Sequence, residues 1–258
     1  MTEARTPISP PTDADLQPLL EKLYANQLAL DPNDPYMRTH GNRTAIENHV
    51  RTFRWYRPYL PNSGVVLDWG CNHAPDSCLL RASFGDRLSL HSCDFGEPSR
   101  YRLFHDFART EHHRLESEVL LPFSSNFFDA VVGSGVLEHA AMDYESLKEL
   151  HRVIKPDGVL VISYLPNWLS INEWMRRVIR KKDFHRRLYG MGETTQLLKR
   201  CGFYPIAAGY QTFVWERMLT AAGLRRWERG LAECLAWLLP IHVFGSTLYL
   251  AGRKVSVF

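Results

Sequence analysis

Apolar positions recur at helical spacing in two early segments. Leu16, Leu19, Leu20, Leu23 and Leu28 mark Asp13 to Leu30, and Ile46, Val50 and Phe53 mark Arg43 to Arg57, with Trp55 and Tyr56 close behind. From residue 64 the pattern changes to short apolar runs that end in polar or glycine-containing turns, with helical stretches between them. A strand covered by helices on both faces reads as such a run, so this alternation predicts a doubly wound α/β sheet. The predicted strands are Gly64–Trp69, Arg87–Cys93, Arg114–Leu120, Phe128–Ser134, Gly158–Tyr164, Tyr204–Tyr210 and Ser246–Arg253.

Outside these elements, residues 1–12 combine Pro7, Pro10 and Pro11 with Thr and Ser and are expected to be disordered, because they bury too little apolar surface to offset ordering entropy. No repeat with a period of 20–50 residues is present. The chain of 258 residues is long enough to bury a core without staples. Its five cysteines (Cys71, Cys78, Cys93, Cys201, Cys234) are odd in number and show no C-x-x-C spacing. They sit mostly in apolar segments, which predicts a reducing, cytoplasmic setting, and no metal ligands are assigned. The N-terminus lacks the basic start and apolar run of a secretory signal. The longest apolar stretch, Leu231 to Phe244, is broken by Glu233, Pro240 and His242 and is too short to span a bilayer. A net charge of +3 with 23% charged residues gives no whole-molecule field for nucleic acid.

Three stretches carry chemistry. Val65-Val66-Leu67-Asp68-Trp69-Gly70-Cys71 is a buried strand running into a turn, the place where open α/β sheets bind ligands. Gly70 permits close approach to the backbone, and Asp68 can orient the turn or accept from an ammonium group. The next strand ends in Asp94, 24 residues after Gly70. That offset suits a carboxylate accepting from two vicinal ribose hydroxyls, and Phe95 beside it can lie against an adenine face. A strand-end turn former is the bland reading of Asp94. The third stretch reads Leu121-Pro122-Phe123, Phe128-Asp129-Ala130-Val131-Val132, Val136-Leu137-Glu138-His139, then Glu149-Leu150-His151-Arg152-Val153-Ile154-Lys155-Pro156-Asp157-Gly158.

Over about residues 64–165 this order resembles class I S-adenosylmethionine-dependent methyltransferases, of the type found in ubiquinone and menaquinone synthesis. The resemblance implies a three-layer, Rossmann-like, seven-stranded sheet, mostly parallel with an antiparallel last strand, plus an N-terminal helical cap (13–60) in one domain spanning 13–258. It implies S-adenosylmethionine as cofactor, held by Asp68, Gly70, Asn72, Asp94 and Phe95, by Ser117 and Glu118 beside the adenine, and by Ser134 after the fourth strand. Asn72-His73-Ala74 departs from the family's Gly-x-Gly, and Ser117-Glu118 departs from its Asp followed by a small residue. Asn tolerates a positive φ next best after glycine, and Pro75 suits the first turn of the following helix.

In-line attack on a sulfonium methyl mainly needs the acceptor held and aligned, with a base if the acceptor is a hydroxyl. His139 is the candidate base, against a bland reading as a packing or capping histidine. Residues 166–190 form the expected lid. Within it, Ile171, Trp174, Met175, Val178 and Ile179 make an apolar helical face beside Arg176, Arg177, Arg180, Lys181, Lys182, Arg186 and Arg187. This segment reads either as a packed lid or as a basic amphipathic helix meeting an anionic membrane or a phosphorylated acceptor. A helical insertion is expected at 213–244, with Trp215, Trp227 and Trp237 in the core, in an acceptor pocket or on a partner-facing patch. The resulting expectation is O-methylation of a small-molecule, sugar or lipid-linked acceptor, with C-methylation implied by the quinone-pathway likeness. An RNA methyltransferase and an inactive cofactor-binding partner subunit are the rivals; oligomeric state is not legible.

Overall fold

The computed structural model describes residues 15–170, 173, 174, 177, 178, 185, 187–211 and 243–255. The expected disordered tail, nearly all of the expected insertion at 213–244 and much of the basic face at 171–186 lie outside those residues. The chain divides into two compact units, residues 1–114 and 115–258.

The first unit holds helices α1 (Leu16–Leu30), α2 (Pro35–His40), α3 (Arg43–Tyr56), α4 (Pro75–Phe84) and α5 (Arg102–Ala108), with strands β1 (Gly64–Trp69), β2 (Leu88–Asp94) and β3 (Glu111–Arg114). Of the apolar stripes read from the sequence, Leu16, Leu20, Leu23, Ile46, Val50 and Phe53 are buried, whereas Leu19 and Leu28 are half-buried. Helix α2 was not expected. Its start depends on local chemistry, with Pro35 in the first turn and Asp34 accepting from the amides of Tyr36 at 2.8 Å and Met37 at 3.0 Å. Asn42 caps α3 by accepting from the Ala45 amide at 3.0 Å.

The second unit holds β4 (Phe128–Ser134), α6 (Asp143–Val153), β5 (Ile154–Pro166), α7 (Met191–Arg200), β6 (Phe203–Gln211) and β7 (Thr247–Lys254). Strands β1, β2 and β3 pair in parallel, as do β4 and β5, whereas β7 runs antiparallel to both β5 and β6. The seven-stranded order is β3-β2-β1-β4-β5-β7-β6, the Rossmann-like sheet with an antiparallel last strand that was expected.

One strand lies elsewhere than expected. Residues 115–120, assigned to the third strand, form a bend, and β3 precedes them. The reason is local: the Ser117 hydroxyl accepts from the amides of Val119 at 3.2 Å and Leu120 at 2.9 Å, which satisfies donors a ladder would have used. Leu120 is then exposed. The true strand, Glu-His-His-Arg, has no apolar residue and so no hydrophobic signal.

The long motif of the second unit is held by charge. Glu149, buried on α6, accepts from the Leu121 amide at 2.8 Å and from Arg152 at 2.6 and 2.8 Å. Lys155 meets both oxygens of Asp129 at 2.8 Å. Gly158 admits no side chain, since a Cβ there would stand 2.6 Å from Ile154 and 2.9 Å from the Lys155 carbonyl. The spacing of Leu-Pro-Phe, Phe-Asp and Glu-x-x-Arg thus reflects a folded clamp. The four described cysteines are buried and unpaired by disulfides. Among the described residues, no helix is long and apolar enough to cross a membrane.

Candidate active site

At the end of β1 the chain turns sharply. Gly70 has φ 68°, Asn72 φ 45° and Ala74 φ 57°, so the bend takes left-handed geometry even where glycine is absent. The Gly70 and Cys71 amides share the Cys93 carbonyl, at 2.8 and 3.2 Å, which pins the bend to the end of β2. Asp68 is buried and its Oδ2 accepts from the Ser77 hydroxyl at 2.6 Å and the Ser77 amide at 3.1 Å. It therefore orients the first turn of α4, which opens on Pro75 as expected. Burial, reinforced by the neighbouring carboxyl of Asp76, pushes the Asp68 pKa up.

Asp94 stands beside this bend. Its Oδ2 accepts from the Asn72 amide at 2.8 Å and its Oδ1 from the Gly96 amide at 3.1 Å. Each carboxylate oxygen offers two lone pairs, so each retains acceptor capacity for a hydroxyl. Phe95, the next residue, is 51% exposed. An acceptor-only carboxylate, a bend open to close backbone approach and a solvent-facing ring are the donor and acceptor set a nucleoside requires, and the first unit fits that group.

His73, which sequence reasoning passed over, explains the departure at Asn72-His73-Ala74. Its buried ring lies against Tyr24, Tyr36, Tyr101 and Phe104, with Nε2 2.5 Å from the Tyr24 hydroxyl. Nδ1 is buried without a hydrogen-bond partner among the described residues, and burial holds the pKa well below the usual histidine value. His105 Nε2 meets the Asn72 carbonyl at 2.9 Å, which braces the bend from α5. The N-terminal helices thus grip the bend through side chains where flexible glycines would leave it unsupported.

In the second unit, Ser134 ends β4 and its hydroxyl accepts from Ser163 at 2.8 Å. The residues after it form a turn: the His139 amide donates to the Val136 carbonyl at 2.9 Å, and α6 begins only at Asp143. Within that turn the His139 side chain is 72% exposed, whereas that of Glu138 is 5% exposed. Burial pushes the Glu138 carboxyl up to about 7, and its Oε2 is buried with no hydrogen-bond partner among the described residues. A Cβ on Gly135 would lie 3.7 Å from Glu138 Oε1, so the carboxyl sits at the carboxyl end of β4. His139 Nε2 is 4.0 Å from Glu138 Oε1. The sequence signal for Glu138 was its neighbour: an acid next to the candidate histidine, passed over because burial is invisible in one sequence. Ser117 and Glu118 lie in the bend after β3, with the Ser117 hydroxyl engaged by backbone amides and Glu118 exposed.

Residues 67–162 match a family described as "Methyltransferase domain". None of the curated proteins matches the chain. Solved structures share its fold. A chain from the complex between the Haloferax volcanii Trm112 methyltransferase activator and a methyltransferase aligns with TM-score 0.61 at 17% identity, covering 91% of this chain and 98% of that one. A sarcosine dimethylglycine methyltransferase structure from Galdieria sulphuraria aligns with TM-score 0.57 at 14% identity, over 92% and 98%. Haemonchus contortus phosphoethanolamine N-methyltransferase 2, solved with S-adenosyl-L-methionine, aligns with TM-score 0.57 at 16% identity, over 85% of this chain and 59% of that one.

Proposed function

We propose, from the premise that residues 67–162 form an S-adenosylmethionine-dependent methyltransferase domain, that the enzyme methylates an oxygen of a small-molecule, sugar or lipid-linked acceptor with Glu138 as general base. The observation that carries this reading is the buried Glu138 carboxyl, one oxygen without a partner among the described residues and its pKa raised to about 7. A carboxyl poised near the working pH is the state in which proton removal from a hydroxyl is most effective.

The cofactor supplies an electrophilic methyl group, so what remains for the protein is to hold both reactants and to receive a proton. Asp94 would accept from the ribose hydroxyls and Phe95 would lie on the adenine, while Asp68 acts indirectly by fixing α4 and the bend. Ser117, Glu118 and Ser134 are the second unit's candidates for contacts to the cofactor. The bound cofactor would supply the methyl group, its methyl–sulfur bond breaking as the acceptor oxygen bonds to the methyl carbon, and Glu138 would take the hydroxyl proton. His139, exposed and 4.0 Å from Glu138, then carries that proton to water. A lipid-linked acceptor draws support from Trp168, Trp174 and Val178, which are 61%, 59% and 50% exposed.

The test is transfer of isotope-labelled methyl from S-adenosylmethionine to panels of hydroxylated small molecules, glycosides and lipid-linked sugars, with the product linkage read by NMR. O-methyl products are expected, with Glu138→Gln lowering kcat by ~10²-fold or more and removing the rise in rate between pH 6 and 8, and His139→Ala lowering it less. Exclusive N- or C-methyl products, or an unchanged rate in Glu138→Gln, would overturn the reading.

A further inference from the structure

Strands β2 and β3 run parallel, and their register sets His91 opposite Glu111 and Cys93 opposite His113. Side chains two apart on a strand share a face, so Glu111 and His113 point the same way, and pairing brings His91 to the same face. Three metal-ligand atoms converge there. His91 Nδ1 lies 3.2 Å from His113 Nε2 and 3.7 Å from Glu111 Oε2. His113 Nε2 lies 3.5 Å from Glu111 Oε1. A tetrahedral zinc ion with bonds of about 2.0–2.2 Å keeps its ligands about 3.3–3.5 Å apart. The two nitrogens stand at that spacing, and one oxygen of Glu111 lies with both of them inside a 4.8 Å cluster.

We propose that His91, Glu111 and His113 form a binding site for a divalent cation of the zinc type, with two imidazoles and one carboxylate as ligands and water in the fourth position. Imidazole with carboxylate suits zinc and its d-block neighbours, whereas magnesium and calcium prefer all-oxygen shells. The Glu111 side chain is 69% exposed, which leaves the fourth position to solvent.

The site's consequence is mechanical. Strand β3 is four residues long, stands at the sheet edge and carries no apolar side chain. An ion bridging it to β2 would staple it in place, three residues before Asp94. Without the ion, the two imidazoles are stacked at 23° with centroids 5.5 Å apart and face each other at hydrogen-bond distance.

Untagged protein, treated with chelator and dialysed, is titrated with zinc chloride against a chromogenic competitor, and thermal unfolding is followed in parallel. One equivalent bound at micromolar or tighter Kd is expected, with a higher Tm. Substituting cobalt(II) should give the visible bands of a tetrahedral ion. The double variant His91→Gln/His113→Gln should bind more than about 100-fold more weakly. His112→Ala should bind as the parent does, because His112 Nδ1 faces Ser92 at 3.1 Å, away from the cluster. If the double variant is too unstable to assay, Glu111→Gln alone should weaken binding and abolish the cobalt bands. Absence of stoichiometric binding by the parent, or binding retained in these ligand variants, would overturn the proposal.

Discussion

Replacing Glu138 by glutamine keeps the shape of the side chain and removes the charge that burial resists. The wild-type carboxyl is moved from an ordinary 4.5 to about 7. Between those values the folded protein holds a proton that the unfolded chain has released. Stability from this group is therefore fully present below pH 4.5 and is lost as pH rises through 7. From pH 5 to pH 8 the loss amounts to about 2–3 kcal/mol. The glutamine variant has no such dependence. Its own fixed cost, such as an imperfectly satisfied buried amide, is the same at both pH values and cancels in the comparison. Urea denaturation of both proteins at pH 5, 6, 7 and 8 reads the effect, and other shared titrations, including the buried Asp68, subtract out. The difference, variant minus wild type, should climb by about 2–3 kcal/mol across the series. A difference flat to within about 0.5 kcal/mol would refute the claim that Glu138 is buried and poised near neutrality.

Asp94→Ala should weaken S-adenosylmethionine binding by ~10²–10⁴-fold in calorimetry, because two charge-assisted bonds to ribose are each worth about 1.5–3 kcal/mol. Circular dichroism should show a fold intact apart from about 1–2 kcal/mol lost with the amide contacts of Asn72 and Gly96. Retained affinity would remove Asp94 from the site. Lys254→Met should cost about 1–3 kcal/mol in denaturant unfolding, since buried Lys254 donates to Asn126 Oδ1 and the carbonyls of His151 and Ile154 at 2.7–2.8 Å; an unchanged stability would contradict that accounting. Flotation with vesicles containing anionic lipid should recover wild-type protein, and Trp168→Ser/Trp174→Ser should reduce recovery severalfold; equal recovery would detach those side chains from any membrane role.

The parts of this fold legible in the sequence are those that burial writes as apolar runs. Strands β1 and β4 fall where the pattern placed them, because Val66, Leu67, Val131 and Val132 are buried in continuous runs. Strand β3 escaped because an edge strand of Glu, His, His and Arg needs only backbone pairing. Helix α2 escaped because six residues hold too little periodicity, and its Asp34-Pro35 start was the sole cue. Asp94 was legible through its offset from Gly70 and does sit at the bend. Glu138 was visible as a letter but not as a buried acid, since desolvation depends on what packs around it. The cluster of His91, Glu111 and His113 was illegible for a related reason, as only cross-strand register brings residues 20 positions apart onto one face. Conversely, the Glu149–Arg152 clamp shows that part of the family-like spacing serves folding and not chemistry.

Everything functional here rests on where the nucleoside sits. A crystal structure with S-adenosylhomocysteine soaked or co-crystallised would decide it. The account predicts both ribose hydroxyls within hydrogen-bond distance of Asp94, the ring of Phe95 against the adenine and the backbone at Gly70 beneath the amino-acid portion. A ligand bound away from Asp94, or no binding at millimolar concentration, would contradict it.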